Sequence, residues 1–173
     1  MKVSPVTVGC PDGSTIEVGA DRPLLLIAGP CVLESEELGR QVAATMQEIC
    51  DRLGISYVFK ASFDKANRTS ISSYRGPGLE RGLGALGRIR QEIGVPVISD
   101  IHEPYQAPAA AEVLDIIQIP AFLCRQTDLL TAASATGKPI NLKKGQFVSP
   151  WEIKNGVDKI RSSGTSQVML VER

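Results

Sequence analysis

Residues 60–80 read Lys-Ala-Ser-Phe-Asp-Lys-Ala-Asn-Arg-Thr-Ser-Ile-Ser-Ser-Tyr-Arg-Gly-Pro-Gly-Leu-Glu. Lysines, arginines, Asn67 and a run of hydroxyls fall here with no periodicity that would form a core face. Their chemistry suits a phosphate. Lys60 and Lys65 supply point charge, Arg68 a planar fork, and Asn67 and Thr69 directional hydrogen bonds. A solvated surface loop would have the same composition. Here, however, the loop joins a short apolar run, Tyr57-Val58-Phe59, to a helical pattern that starts at Leu79. A long polar connection of that kind is uncommon inside a compact domain and is a frequent carrier of function.

The elements that must position these residues follow from periodicity. Val6-Thr7-Val8 and Thr15-Ile16-Glu17-Val18 flank Pro11-Asp12-Gly13, so residues 1–20 read as a β-hairpin. From residue 21 to 173 short apolar runs alternate with helical stretches, which reads as one domain. The spacing predicts strands over 24–28, 56–60, 96–99, 115–119, 139–142 and 167–171. Helices are predicted over 35–53, 79–92, 104–113, 126–136 and 150–162. Strands that alternate with helices imply βαβ units and a parallel sheet covered on both faces.

Two α/β architectures fit this order, a doubly wound open sheet and a (β/α)8 TIM barrel. No G-x-G-x-x-G follows the first sheet strand, and Gly82, Gly84 and Gly87 fall inside a helical pattern as packing or weak helix positions. The polar residues favour the barrel. Cys31, Lys60, Lys65, Asn67, Arg68, Asp100, Gln118, Arg125, Lys143, Gln146 and Arg173 all fall at or just beyond the carboxyl ends of successive strands. In a barrel those ends converge on one mouth, where active sites are built. On this count about six of eight barrel strands are present, behind the N-terminal hairpin.

Composition excludes several classes. Nineteen basic and 19 acidic residues give zero formal net charge, which argues against a nucleic-acid binder or a partner of anionic membranes. No run approaches the roughly 18 apolar residues of a membrane span, and no apolar leader opens the chain. Four cysteines without CxxC spacing suggest a reducing, cytoplasmic setting rather than a disulfide scaffold. Cys50 sits on an apolar helix face and reads as core. Cys10 and Cys124 have no partner in sequence. His102, the one histidine, reads as a structural or supporting group more than a ligand or acid–base group, and Asp100 as an orienter of a lysine or Asn67. Lys144 reads as a solvated neighbour of Lys143, and Trp151 as packing or a subunit contact.

The Lys60–Arg68 segment and the Arg75-Gly76-Pro77-Gly78-Leu79-Glu80 run together carry a resemblance. Ala28-Gly29-Pro30-Cys31-Val32-Leu33-Glu34-Ser35, Asp100-Ile101-His102-Glu103-Pro104, Gln118 to Asp128, and Lys143-Lys144-Gly145-Gln146-Phe147 follow in order. This series resembles the 3-deoxy-D-manno-octulosonate 8-phosphate (KDO8P) synthase family over nearly everything from Leu24 onward. Members of that family are much longer, so the chain resembles such a synthase without its last third. Thr69 stands where many members have serine, and Ser72 where many have histidine.

The resemblance implies a (β/α)8 barrel, closed below by a hairpin, that condenses phosphoenolpyruvate with D-arabinose 5-phosphate and water to give KDO8P and phosphate. It implies that Lys60, Lys143, Arg125, Gln146, Arg173 and the Pro120-Ala121 backbone hold phosphoenolpyruvate, with Gln118 and Phe122 among the substrate contacts. Lys65, Asn67 and Asp100 are the implied catalytic set, Lys65 beside the aldehyde, while Asn67, Arg68 and Thr69 take the sugar phosphate. Gly-Pro-Cys implies the metal-dependent class, with Cys31 as a ligand to zinc, iron or manganese and the other ligands beyond this chain. A homotetramer is implied, and this length alone is expected to be inactive. The DAHP synthases of aromatic biosynthesis resemble the chain less, because they carry Lys-Pro-Arg-Thr-Ser where it has Lys60-Ala61-Ser62-Phe63-Asp64-Lys65. A non-catalytic phosphate-binding or oligomerisation module is the third reading.

Overall fold

A computed structural model describes residues 4–172. β1 (Val6–Gly9) and β2 (Thr15–Val18) form the antiparallel hairpin. Its turn is set by Asp12, whose Oδ1 accepts from the Ser14 amide at 2.9 Å and the Ser14 hydroxyl at 2.6 Å. Six strands follow: β3 (Leu25–Ala28), β4 (Ser56–Lys60), β5 (Val97–Asp100), β6 (Ile116–Ile119), β7 (Ile140–Lys143) and β8 (Val168–Val171). They pair in parallel in chain order. The helices between them are α1 (Glu36–Leu53), α2 (Leu79–Ile93), α3 (Ala107–Val113), α4 (Thr127–Ala135) and α5 (Ile153–Arg161). A doubly wound sheet would reverse its strand order partway; this sheet never does, and it curls as part of a (β/α)8 barrel. Among the described residues β3 and β8 each pair on one side only.

Every sheet strand begins and ends within one residue of the run expected from sequence. Two helices differ more. The stretch expected at 104–113 opens as a 3₁₀ turn, Pro104–Gln106, because the Gln106 side chain folds back to accept from the amides of His102 and Glu103. The last helix starts at Ile153 instead of 150. Ser149 and Glu152 bond each other's backbone amides there at 3.2 Å and hold a separate turn. Trp151 in that turn is 86% exposed, so the expected packing within the chain is corrected.

The two faces of the sheet bury different things. Outward residues, among them Tyr57, Phe59, Val97, Ile117, Ile119, Ile140 and Leu142, pack with Leu86, Ile89, Leu130 and Ile160 of the helices. Inward residues Val58, Ile98 and Ile116 pack with Val8 of the hairpin, joined by Ile27 and Met169. The hairpin therefore plugs the bottom with apolar contact, and the Gln167 side chain accepts from the Thr7 amide at 2.7 Å to tie it to the start of β8. Arg90 of α2 grips Asp115 with two bonds of 2.8 Å, while Asp115 also accepts from the Val97 amide. This fixes the rear of β5 and β6. Gly82 lets α2 close on the sheet-end loop: a Cβ there would stand 2.3 Å from the Cβ of Phe63.

Candidate active site

Alternation along each strand puts a second inward layer above the apolar one. Two residues beyond Val58 comes Lys60, beyond Ile98 comes Asp100, and beyond Ile116 comes Gln118. Asp100, Gln118 and Asn141 stand in register on β5, β6 and β7. All three are nearly fully buried, at 4%, 3% and 2% exposure. The Gln118 amide donates to Asp100 Oδ1, and Asn141 Nδ2 donates to Gln118 Oε1 at 2.9 Å. From the other side the Ser62 hydroxyl donates to Asp100 Oδ2 at 2.5 Å, and Lys65 Nζ reaches the same oxygen at 3.4 Å. Lys60 Nζ lies against the Cys31 carbonyl and the Ser62 hydroxyl, each at 3.3 Å.

The electrostatics follow from this packing. Burial opposes ionisation of Asp100, but the Lys60 and Lys65 charges and the donors on Ser62 and Gln118 outweigh it and hold the carboxyl below its ordinary value. Burial brings the Lys60 amine down from 10.5 to about 8, against the pull of Asp100 and with help from Lys65 and Lys143. His102 is also pushed below its ordinary value, chiefly by burial, so its ring is neutral at pH 7. Among the described residues its Nδ1 is buried without a partner, and its ring meets Phe63 edge-on at 6.2 Å.

Above this layer opens a cleft of about 620 Å³. Cys31, Lys65, Asn67, Arg68, Thr69, Asp100, Pro120, Ala121, Phe122 and Lys143 line it, with His102. Lys60 and Gln118 lie just beneath. Arg125 and Gln146 do not line it: the 3₁₀ turn Ala121–Leu123 carries Arg125 to a hollow shared with Phe147 and Lys159 of α5. Arg173 lies outside the described residues. Lys144 corrects its expectation. It is buried, donates to the carbonyls of Gly145 and Val148 at 3.2 and 3.0 Å, and meets Glu172 at 3.3 Å, so it braces the loop behind Lys143.

The cationic loop is itself braced. Arg75 Nε and Nη2, one edge of its guanidinium, donate to the two carboxylate oxygens of Asp64 at 2.8 and 2.5 Å, and the Lys65 amide donates to the Arg75 carbonyl at 2.7 Å. Arg68 Nε donates to the Tyr74 carbonyl at 3.1 Å. Gly76 makes the return possible, with φ +124 and a Cβ position only 2.4 Å from the Phe63 carbonyl oxygen. Asn67, Arg68 and Thr69 are left exposed at the cleft rim. Chemically, the assembly can hold a polyanion: fixed cations above one buried carboxylate in a partly dry mouth.

Reading the sequence for chemistry missed Ser62, Asn141 and the position of His102 on the cleft wall. A signal for Asn141 was present, because a lone amide between Ile140 and Leu142 interrupts an apolar strand. Cys31 is exposed on the cleft wall with no companion ligand. Among the described residues no three His, Cys, Asp or Glu side chains gather closely enough to hold an ion, so they do not by themselves fit a metal site.

The family model described as the DAHP synthetase I family matches residues 4–173. The chain belongs to that family. Similar curated proteins share one name, 2-dehydro-3-deoxyphosphooctonate aldolase. That of Desulfotalea psychrophila is 69% identical over 99% of this chain and 61% of its own length. That of Fusobacterium nucleatum is 60% identical over 91% of the chain and 57% of its own. That of a Cyanothece species is 58% identical over 91% and 58%. The chain thus spans about three fifths of the length of these relatives. No helix of the described residues is long and apolar enough to cross a membrane.

Lys60 should titrate far below an ordinary lysine. Competitive acetylation from about pH 6 to about pH 11, read by peptide mass spectrometry, should show half-maximal reactivity of Lys60 near 8. A midpoint at the ordinary 10.5 would show that the amine is not desolvated as described.

Proposed function

We propose that the chain carries the greater part of a KDO8P synthase site, which joins phosphoenolpyruvate to D-arabinose 5-phosphate. The observation that carries this reading is the set Lys65, Asn67, Arg68, Thr69 and Lys143 around one cleft, over the Asp100 carboxylate. The relatives' printed name supports it, since 2-dehydro-3-deoxyphosphooctonate aldolase is another name for KDO8P synthase. The two substrates bring two phosphates and a carboxylate together, so fixed cations must offset their repulsion before any carbon–carbon bond can form.

In the proposed reaction C3 of the enol attacks the sugar aldehyde, and water adds at C2. Phosphate then leaves with cleavage of the C–O bond. Lys143 and Lys60 serve the phosphoenolpyruvate side. Lys65, held by Asp100, faces the aldehyde, where its ammonium can stabilise the developing alkoxide. Asn67, Arg68 and Thr69 receive the sugar phosphate at the rim. A homo-oligomer and a cytoplasmic setting belong to the same proposal. So does Cys31 as a single ligand to a divalent ion, whose role would be to polarise an oxygen.

The alternative within the family is the DAHP synthase reaction, after which the matching family model is described. Offering the complete protein arabinose 5-phosphate and erythrose 4-phosphate in parallel separates the two. Arabinose 5-phosphate should be strongly preferred, and a preference for erythrose 4-phosphate would move the assignment to DAHP synthase.

Arg68→Ala should weaken arabinose 5-phosphate binding far more than phosphoenolpyruvate binding, and Lys143→Ala should do the reverse. A lost charged hydrogen bond of about 1.5–3 kcal/mol corresponds to roughly a tenfold to hundredfold change in Kd. Calorimetric titration of both substrates on both variants checks this division; equal losses on both would contradict it.

Chelation should abolish turnover of the complete protein, and zinc, manganese or ferrous ion should restore some of it. Full turnover by metal-free protein would remove Cys31 from the ligand role.

A further inference from the structure

Asn141 touches no wall of the cleft, yet it is the far end of the buried ladder that terminates on Asp100. The direction of that ladder is dictated by chemistry. Asp100, held ionised, only accepts. Gln118 must therefore turn its NH₂ toward the carboxylate, which leaves Oε1 facing β7. Only a donor can satisfy that oxygen, and Asn141 Nδ2 does so at 2.9 Å. Beyond Asn141 the next residue in register is Met169, which offers no further hydrogen-bonding partner of that kind, so the chain of amides begins at Asn141. An amide between two apolar strand residues, Ile140 and Leu142, and 2% exposed, has no solvent role. Its length and its donor group match what Gln118 needs.

We propose that Asn141 is a positioning residue: by fixing the Gln118 amide in the single orientation a carboxylate accepts, it holds Asp100 where Lys65 and the cleft require it. Ser62 secures the other carboxylate oxygen, so Asp100 is held from both sides, and its bond to Lys65 inherits that placement. The consequence for ligand affinity rests on the phosphoenolpyruvate reading given above; the ladder itself does not.

The test uses the complete protein with Asn141→Leu, Gln118→Met and the double variant. Phosphoenolpyruvate binding is measured by calorimetry, and the side-chain amide of Gln118 by NMR. Asn141→Leu should weaken phosphoenolpyruvate roughly tenfold, about as much as Gln118→Met, and the double variant should bind no worse than Gln118→Met. In the wild type a Gln118 amide proton should resonate downfield and exchange slowly, and Asn141→Leu should abolish both signs. Additive losses would overturn the proposal, as would a lowered Tm with unchanged Kd and unchanged amide signals.

Asn141→Asp is the second variant and gives a signature that mere packing would not. While the introduced carboxyl keeps its proton it can donate to Gln118 as the amide does, and burial favours that form. As pH rises it becomes an acceptor facing an acceptor, so affinity and the amide signature should fall together, more steeply than in the wild type. A pH profile that matches the wild type would count against the ladder. If the wild type failed to bind phosphoenolpyruvate while the amide signature behaved as described, the ladder would stand and the substrate reading would fall.

Discussion

One buried carboxylate organises the candidate site. Asp100 receives a hydroxyl, an amide and an ammonium within a layer closed to water on its lower side. An unpaired charge at that depth would cost several kcal/mol, so each partner is needed and each is held in turn. The strand register supplies one of them, Gln118, which Asn141 holds in turn. The loop after β4 supplies the others, Ser62 and Lys65. The Asp64–Arg75 pair and the turn at Gly76 therefore serve the carboxylate as well as the loop, because they set where Lys65 begins.

The barrel makes this possible through its two-residue alternation. A single step of two residues along β4, β5 and β6 converts the apolar floor of Val58, Ile98 and Ile116 into Lys60, Asp100 and Gln118. The hairpin residue Val8 seals that floor from below. Polar groups are thus taken out of water without burying them inside the main core, which lies on the other face of the sheet with the helices. A slip of one residue in any of these strands would exchange the two faces and bring Phe59 or Ile117 into the mouth.

Much of this was legible in the sequence because it depends on local pattern. Short apolar runs alternating with helical stretches gave the strands to within a residue, and polar residues at their ends marked the mouth. The errors have a common cause, which is that helix starts and side-chain burial depend on contacts from distant parts of the chain. The Ser149–Glu152 turn delayed α5, and the Gln106 side chain turned the first residues of the third helical stretch into a 3₁₀ turn. Lys144 looked like surface charge, but carbonyls of its own loop and Glu172 close around it. Arg125, expected at the mouth, lines a neighbouring hollow beside α5 beyond the 3₁₀ turn that follows β6. Asn141 was passed over since an amide gains meaning only from the residue beside it in register.

The two half-buried lysines of the site have different partners, and the difference bears on how it would receive an anion. Lys65 Nζ lies 3.4 Å from a carboxylate oxygen of Asp100. Among the described residues Lys60 Nζ bonds only neutral oxygens, the Cys31 carbonyl and the Ser62 hydroxyl, and burial brings its amine to about 8. An arriving phosphate or carboxylate would favour its charged form and raise its proton affinity. Binding would then draw a proton onto Lys60 wherever the empty site had released one. The charge of the mouth is therefore partly set by its ligand: Asp100 and Lys65 fix a nearly neutral pair, and Lys60 adds the cation that the anion itself calls for.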